Sequence, residues 1–267
     1  MRESNIIVLV KHVVDTNALK IDPTNKQPVL RGALTKISDY DKHAIEEAVR
    51  LKEKISKRVV ILSVGPEEAA RTTLREALAM GADEAILVST GTSYFLGDPL
   101  LTIRALVNTI RKFIGNFELI IAGDFSEDLY QGSVGIGVAI LLNIPFISSA
   151  SSIEIVDDKK VIVKRELEQY IEVLEATLPL LISVSREINQ PRIPTTLQIM
   201  KVPLSKITIV RPEDIGIPKL ENSTGEYVTL VEVMAGEMPK RKGIKIEGHH
   251  DKIALELLQY LEREGVI

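Results

Sequence analysis

Residues 117–142 read FELIIAGDFSEDLYQGSVGIGVAILL, and this stretch decides the fold. Leu119–Ala122 predicts a buried strand, residues 123–128 a polar loop, and the glycine-rich residues 132–137 the start of an apolar helix that reaches Leu142. A small-residue turn from a strand into a helix lets a ligand approach the backbone and meet free N–H groups at the positive helix end. The spacing matches neither G-x-G-x-x-G nor a P-loop, so a tightly packed crossover turn is the alternative interpretation.

Composition excludes several classes of protein. The 267 residues carry a formal net charge of -4, which argues against a sequence-independent grip on nucleic acid, so we expect no nucleic-acid partner. The absence of cysteine excludes disulfides, thiolate catalysis and cysteine-based metal sites. Ile6–Val10 is too short for a signal sequence, and no apolar run approaches the ~18 residues of a membrane span. We therefore expect a cytoplasmic protein.

Strand and helix patterns alternate through the first half of the chain. Strands are predicted at Ile6–Val10, Val59–Val64, Ala85–Val88 and Leu119–Ala122, and helices at about 39–54, 67–80, 98–110 and 133–142. This rhythm is typical of a doubly wound, mostly parallel α/β sheet with helices on both faces.

The pattern changes after Pro145. A hairpin is predicted over residues 153–164, and Ile171–Leu174 and Leu180–Val184 resemble further antiparallel strands. From Asn189 to Pro239 the sequence has little regular pattern, which is typical of a segment that binds or wraps a partner, and an amphipathic helix follows at about 251–263. The sequence thus predicts an α/β nucleotide-binding domain over 1–188, and a partner-recognition loop and C-terminal arm with a terminal helix over 189–267.

No catalytic or metal-ligating set is predicted. His12 could touch a ligand after the first strand, but a structural hydrogen bond is favoured; His249 and His250 favour a solvated helix cap over a metal cluster. Asp15 and Asp128 follow predicted strands, where each could accept a ribose hydroxyl or brace its own loop. The chain therefore has the character of a nucleotide binder.

Several stretches together carry a resemblance to a known family. They are VKHVVD at 10–15, AIEEAVRLKE at 44–53, LAMGAD at 78–83, the segment 123–135, and later pieces at 165–172, 178–179, 189–192 and 199–201. In this order and spacing, the chain resembles the beta subunit of electron transfer flavoproteins along nearly its whole length.

The resemblance implies an adenine-nucleotide-binding type of α/β fold and a heterodimer with a larger alpha subunit, which carries a redox-active FAD near the interface. It implies electron transfer between flavin dehydrogenases and an acceptor such as a membrane quinone oxidoreductase, with no substrate chemistry on this chain. It also implies a second nucleotide in the cleft of this chain. That nucleotide is AMP in most members and a second FAD in the electron-bifurcating branch.

Site residues follow by position. Together with Asp15 and Asp128, the predicted nucleotide site consists of Leu9, Ser38, Asp39, Tyr40, Asp41, Val64, Gly65, Gly123, Asp124, Phe125, Ser126, Gln131, Gly132, Ser133, Val134 and Gly135. The predicted partner-docking residues are Thr195, Thr196, Leu197, Ile199 and Met200. Arg165 and Glu172 match charged positions near the alpha-subunit flavin, where they would orient rather than react.

The sequence departs from the family pattern inside the predicted nucleotide site. Ser38-Asp39 replaces Asn-Pro, Asp124-Phe125 replaces a basic residue and Gln, and Ser133 replaces Gln. Carboxylates at 39 and 124 would oppose a phosphate unless a cation intervenes. Residues 20–25, Thr16, Val134 and the GVI ending resemble the bifurcating branch, whereas the lost basic residue points away from it. The expectation slightly favours a second FAD.

Two other functions remain as alternatives. An adenine-nucleotide hydrolase of the same architecture would need a glycine-rich phosphate loop after the first strand, where this chain has KHVVD. A homodimeric nucleotide-sensing stress protein would explain the cleft, but it would not explain the long irregular tail.

Overall fold

A computed structural model describes residues 5–91, 98–217, 228, 231–235 and 242–267. The strands are β1 (Asn5–Leu9), β2 (His12–Val14), β3 (Thr35–Ile37), β4 (Arg58–Gly65), β5 (Glu84–Ser89), β6 (Phe117–Gly123), β7 (Phe146–Ile155), β8 (Lys160–Glu166), β9 (Ile171–Thr177), β10 (Leu180–Val184) and β11 (Ile207–Val210). The helices are α1 (Asp39–Ile55), α2 (Glu68–Arg71), α3 (Thr73–Ala79), α4 (Pro99–Thr109), α5 (Ser133–Leu142), α6 (Thr196–Lys201) and α7 (His250–Arg263).

Within the described ranges, nine strands form one sheet in the order β11-β5-β4-β1-β6-β10-β7-β8-β9. Pairing is parallel from β11 through β7, and β8 and β9 extend the sheet as an antiparallel edge. The chain passes from β1 to β4 and β5 on one side, then returns to place β6 on the other side of β1. The predicted doubly wound α/β fold is confirmed, and β1 and β6 flank the point where ligands bind in such sheets.

The two faces of the sheet bury separate hydrophobic clusters. Along β1, Ile6 and Val8 point into one cluster and Ile7 and Leu9 into the other, as the twofold alternation of a strand requires. Helices α1 and α3 cover the first face, and α4 and α5 cover the second. The carboxyl ends of the central strands emerge between these two layers.

Leu180–Val184 was predicted as an antiparallel strand, and this prediction is wrong. Strand β10 lies between β6 and β7 and pairs in parallel with both. All five of its residues are buried. An unbroken apolar run is typical of a parallel strand covered on both faces, and this was the signal in the sequence.

Other differences are local. The predicted helix over 67–80 is broken at Thr72, and the helix that begins at Pro99 ends in a π-helical turn, Ile110–Ile114. Strand β7 begins at Phe146, before the predicted hairpin that starts at residue 153, and Ser149 lies in its middle with a φ of +56°. The segment predicted as irregular from residue 189 contains α6 and the edge strand β11, while 218–227, 229–230 and 236–239 of it lie outside the described residues.

Two compact units are distinguished along the chain, one ending at Val233 and the other covering Met234–Ile267. The boundary predicted after residue 188 stays a prediction. The second unit contains α7, as predicted, with Leu255, Leu257 and Leu258 exposed along it. Among the described helices, none combines the length and apolar character needed to cross a bilayer.

Candidate functional site

A cleft opens at the carboxyl ends of β1, β4 and β6, where the order of the sheet reverses. The space inside it is about 820 Å³, a figure that includes open solvent at its mouth. The lining residues are Leu9, Val10, Lys11, Asp41, Leu62, Val64, Pro99, Thr102, Leu106, Ala122, Gly123, Phe125, Ser126, Gln131, Gly132, Val134 and Gly135.

Asp41 joins two strand ends beneath this cleft. Its carboxylate accepts hydrogen bonds from the backbone N–H of Lys11, at 2.7 Å, and of Gly123, at 3.2 Å. The side chain lies in the first turn of α1, and the residue is only 6% exposed. Burial raises the pKa of Asp41 to about 7, against the lowering effect of the two N–H donors.

Gly123 has no room for a side chain. A Cβ atom there would lie 2.6 Å from Tyr40 Cβ and 2.9 Å from the Tyr40 backbone carbon. The end of β6 therefore packs directly on the first turn of α1, which brings the Asp41 carboxylate within reach of the Gly123 N–H. Glycine is required at this position for space rather than for an unusual dihedral angle.

The N-terminus of α5 faces the same cleft. Gly132 is its N-cap, and no side chain caps the helix. Gly132, Val134 and Gly135 line the cleft, so the uncapped first-turn N–H groups are available to a ligand. Lys11 also lines the cleft and forms a 2.8 Å ion pair with Asp128. An anion in this cleft would meet both a helix dipole and a nearby cation.

The structure brings together many of the predicted nucleotide-site residues. The predicted residues that line the cleft are Leu9, Asp41, Val64, Gly123, Phe125, Ser126, Gln131, Gly132, Val134 and Gly135. The predicted residues outside the lining are Asp15, Ser38, Asp39, Tyr40, Gly65, Asp124, Asp128 and Ser133. Their assignment to a cofactor stays a prediction.

Several residues outside the lining brace the loops around the cleft. Asp15 accepts a hydrogen bond from the N–H of Asn17 and so caps its own turn. Asp128 accepts from the N–H of Leu129 as well as from Lys11. Tyr40 packs behind the cleft against Phe125.

Asp39 and Asp124 are the carboxylates that were expected to oppose a phosphate. Asp39 pairs with Lys36 at 3.2 Å, and Lys36 also binds Glu127 at 2.8 Å. Asp124 is buried, and its carboxylate accepts from the N–H of Ser149, at 2.9 Å, and from the hydroxyl of Ser183. Asp124 thus stabilises the irregularity in β7.

Sequence reasoning missed Lys11 and the wall formed by α4. Lys11 lies two residues after the end of β1, so its position after the first strand was the available signal. Pro99, Thr102 and Leu106 lie on one side of α4, which flanks the ends of β4 and β5. No local motif marks them, because their place depends on how α4 packs on the sheet.

The predicted partner-docking residues lie on and beside the short helix α6. Thr195 caps it through a reciprocal pair of hydrogen bonds with Gln198. Leu197 and Met200 are exposed. The preceding turn is fixed to α1, because Arg192 binds the buried carboxylate of Glu46 through Nε at 2.8 Å and through its own N–H at 3.1 Å. Although burial opposes it, these bonds lower the pKa of Glu46.

Arg165 and Glu172 are paired across β8 and β9. Their side chains form a 2.6 Å ion pair on the antiparallel edge of the sheet, and both are partly exposed. They lie on the strand extension and are not among the cleft-lining residues.

The histidines considered in the sequence are not among the residues that line the cleft. Buried His12 has Nδ1 2.7 Å from the hydroxyl of Thr73, and burial lowers the pKa of His12. His249 is the N-cap residue of α7 without a side-chain cap bond. Among the residues that the structure describes, no group of three or more His, Asp and Glu is placed to hold a metal ion.

Comparison with known proteins decides the family. A family model described as electron transfer flavoprotein domain matches residues 29–211. The chain belongs to the electron transfer flavoprotein family. It is 35% identical over 266 residues to the electron transfer flavoprotein subunit beta of Thermoanaerobacterium thermosaccharolyticum, covering 98% of this chain and 100% of that protein.

Two further relatives span most of the chain. The subunit beta of Bacillus subtilis is 30% identical over 98% of this chain and 99% of its own length. The caffeyl-CoA reductase-Etf complex subunit CarD of Acetobacterium woodii is 34% identical, with 89% of each chain covered. The predicted resemblance to beta subunits is confirmed, and it supports an electron carrier role for this electron transfer flavoprotein chain.

Replacing Gly123 with alanine should destabilise this electron transfer flavoprotein chain by about 1–3 kcal/mol, because the added methyl group meets backbone atoms. Gly135→Ala is the matched control, since its nearest neighbour would lie 3.6 Å away and alanine favours a helix. Urea denaturation measures both free energies of unfolding. Equal losses in the two variants would contradict the close packing at Gly123.

Asp41 should make stability depend on pH. Its folded pKa of about 7 lies above the ordinary value of 3.8, so the folded state binds the extra proton and its stability falls as pH rises from about 4 to about 7. Asp41→Asn removes this titration. Relative to wild type, the variant should gain at least about 1.4 kcal/mol between pH 5 and pH 8, the value of one pKa unit.

Thermal unfolding at the two pH values measures the difference. Asp251→Asn, at a carboxylate that is 93% exposed, controls for the change from acid to amide. A pH-independent difference between wild type and Asp41→Asn would show that the buried group does not titrate in this range.

Proposed function

We propose that this chain is the beta subunit of a heterodimeric electron transfer flavoprotein that relays electrons from flavin dehydrogenases to an acceptor. The family match, combined with an open cleft at the switch point of the sheet, carries this proposal. The redox-active FAD belongs mainly to the alpha subunit, near the interface. This chain supplies a scaffold and contributes no substrate chemistry, and a membrane quinone oxidoreductase is one class of final acceptor.

The cleft is proposed to hold an adenine nucleotide. Aliphatic residues at the ends of β1 and β4, such as Leu9 and Val64, offer an apolar surface to a base. The uncapped N-terminus of α5 offers partial positive charge to a phosphate, and the ammonium group of Lys11, which also pairs with Asp128, lies in the same cleft. Apolar and cationic surfaces in one cleft are what a nucleotide requires.

The nucleotide is either AMP or a second FAD, and we favour the second FAD. The argument from charge against binding phosphate weakens, because Asp39 and Asp124 are bound to other groups and are not among the lining residues. One relative, CarD, bears a name that places it in a complex with a reductase. The name of this relative is also the reason that electron bifurcation by this chain is part of the proposal.

Arg165 and Glu172 are proposed to face the flavin of the alpha subunit. Their 2.6 Å ion pair fixes the guanidinium and the carboxylate relative to each other. A fixed pair suits a role in orienting a cofactor, because less side-chain entropy is lost on contact.

The cofactor content of the co-expressed heterodimer should test the cleft assignment. An acid-quenched extract is expected to contain two FAD per heterodimer and no AMP. One FAD with one AMP would overturn the second-FAD assignment but keep the nucleotide site. A chain that is stable alone and hydrolyses ATP without flavin would overturn the whole function.

Val134→Arg should remove the second nucleotide and leave the alpha-subunit FAD in place, because Val134 lines the cleft. Val29→Arg, at an exposed valine outside the cleft, is the matched control. Retention of the alpha-subunit FAD reports that the variant has folded and assembled. Two nucleotides in both variants would place the second nucleotide elsewhere.

Leu197 is expected to be an anchor for flavin dehydrogenases. Its side chain is 62% exposed on α6, and Arg192 fixes the segment that precedes α6 to α1. Truncation of a hot-spot side chain costs about 2 kcal/mol or more, so Leu197→Ala should lower kcat/KM for a partner dehydrogenase about 30-fold. Leu34→Ala, at a leucine that is 66% exposed, is the control.

Steady-state reduction of the electron transfer flavoprotein by the dehydrogenase measures this effect. Cofactor content and thermal stability should stay unchanged in both variants. Equal rates for wild type and Leu197→Ala would mean that the dehydrogenase docks on another surface.

A further inference from the structure

Three aromatic rings converge beside the cleft in a chain that has only five Phe, six Tyr and no Trp. The rings of Phe125 and Tyr130 are stacked, with centroids 5.1 Å apart and an angle of 13°. Tyr40 packs edge-on against both, at 5.8 Å from Phe125 and 6.1 Å from Tyr130. We define these three residues as the aromatic cluster.

The aromatic cluster extends from the edge of the buried core to the surface. Tyr40 is 9% exposed, Phe125 38% and Tyr130 62%, so exposure increases from the base of the cluster outward. Large aromatic side chains gain most when they are fully buried, and Tyr130 gives up much of that gain. A ring that is held in place while exposed to solvent is available to a ligand.

The backbone fixes the stacked pair. Tyr130 has a φ of +53°, a left-handed conformation that is unfavourable for a residue with a Cβ atom. Its N–H donates to the Ser126 carbonyl at 2.7 Å, and the Ser126 N–H donates to the Gln131 carbonyl at 3.2 Å. This strained, closed loop brings the rings of Phe125 and Tyr130 parallel.

Contacts behind the pair prevent its reorientation. The Tyr40 and Tyr130 hydroxyl groups are 2.8 Å apart and share a hydrogen bond. The guanidinium of Arg186 lies 4.4 Å from the centre of the Tyr40 ring, in a cation–π contact. The aromatic surface is therefore organised before any ligand arrives, which lowers the entropic cost of binding.

The aromatic cluster lies at one end of the nucleotide cleft. Phe125 itself lines the cleft just after β6, while Leu62 and Val64 line it on β4. Because β1 lies between β4 and β6, Lys11 at the end of β1 lies between these two apolar regions. A cation with an apolar surface on each side suits a dinucleotide, whose two rings flank a diphosphate.

We propose that the ring of Phe125, supported by the stacked ring of Tyr130, forms a stacking platform for a planar heteroaromatic ring of the nucleotide bound in this cleft. The inference rests on the proposed function, because it needs a nucleotide in this cleft. Stacking on aromatic side chains recognises any planar ring, so the adenine of AMP and the rings of FAD share the required chemistry.

Phe125→Leu tests the platform, because it keeps an apolar side chain and removes the flat ring. The co-expressed heterodimer, with its alpha-subunit FAD in place and its second nucleotide removed by dialysis, is titrated calorimetrically with FAD, AMP and ribose 5-phosphate. The variant should bind FAD about tenfold more weakly than wild type. Binding of ribose 5-phosphate, which has no base, should not change.

Matched variants control for indirect effects. Phe125→Tyr should restore the wild-type affinity, since it keeps the ring. Phe113→Leu, at an exposed phenylalanine outside the cleft lining, should have no effect. Tyr130→Leu, at a largely exposed side chain, replaces Phe125→Leu if that variant does not fold.

The outcomes separate the two proposals. A loss of affinity for FAD alone supports the platform and places a flavin ring on it, and a loss for AMP as well supports the platform with adenine on it. Unchanged affinity for both nucleotides, or an equal loss for ribose 5-phosphate, would overturn the platform. A wild-type heterodimer that binds neither nucleotide would overturn the proposed nucleotide site itself.

Discussion

The bridge made by the Asp41 carboxylate is the interaction on which the cleft depends. Two neighbouring strands, β1 and β6, end with backbone N–H groups that the sheet no longer pairs, and one buried carboxylate accepts from both. A buried N–H without an acceptor is costly, and the Asp41 carboxylate provides the acceptor for both N–H groups. This bridge requires glycine at position 123, because a Cβ atom there would overlap the first turn of α1, which carries the Asp41 carboxylate.

The acidic residues around the cleft show that a carboxylate in a predicted binding segment need not face the ligand. Asp39 and Asp124 both lie in segments that the sequence assigns to the nucleotide, yet one pairs with Lys36 and the other braces the backbone of β7 at Ser149. Lys11 is the cation at the cleft lining, and it comes from a strand end without any acidic or glycine-rich signature. The local geometry of the loops thus places the Asp39 and Asp124 carboxylates against Lys36 and Ser149 rather than in the cleft lining.

The sequence predicted the fold correctly where elements that are consecutive in the chain are also neighbours in space. The segment 117–142 contains a strand, a loop and a helix in sequence, and Gly123, Gly132 and Gly135 line the cleft because these three elements are consecutive. Leu180–Val184 was misassigned because its partners, β6 and β7, come from earlier in the chain and only its unbroken burial signals a central position. Pro99 and Thr102 were missed for the same reason, since they reach the cleft through packing of α4 on the sheet.

A docking segment that recognises a partner needs exposed side chains for contact and a backbone that is held in place by the rest of the protein. Glu46 lies within α1, and its buried carboxylate binds Arg192, so the segment that precedes α6 is fixed to the helix that also carries Asp41. The same buried carboxylate also pairs with Arg50 at 2.7 Å, so two guanidinium groups offset the cost of burying it. Leu197 on α6 contributes nothing to the core, which frees it for contact with a partner. One helix therefore fixes the proposed nucleotide cleft through its first turn and the proposed docking segment through its second.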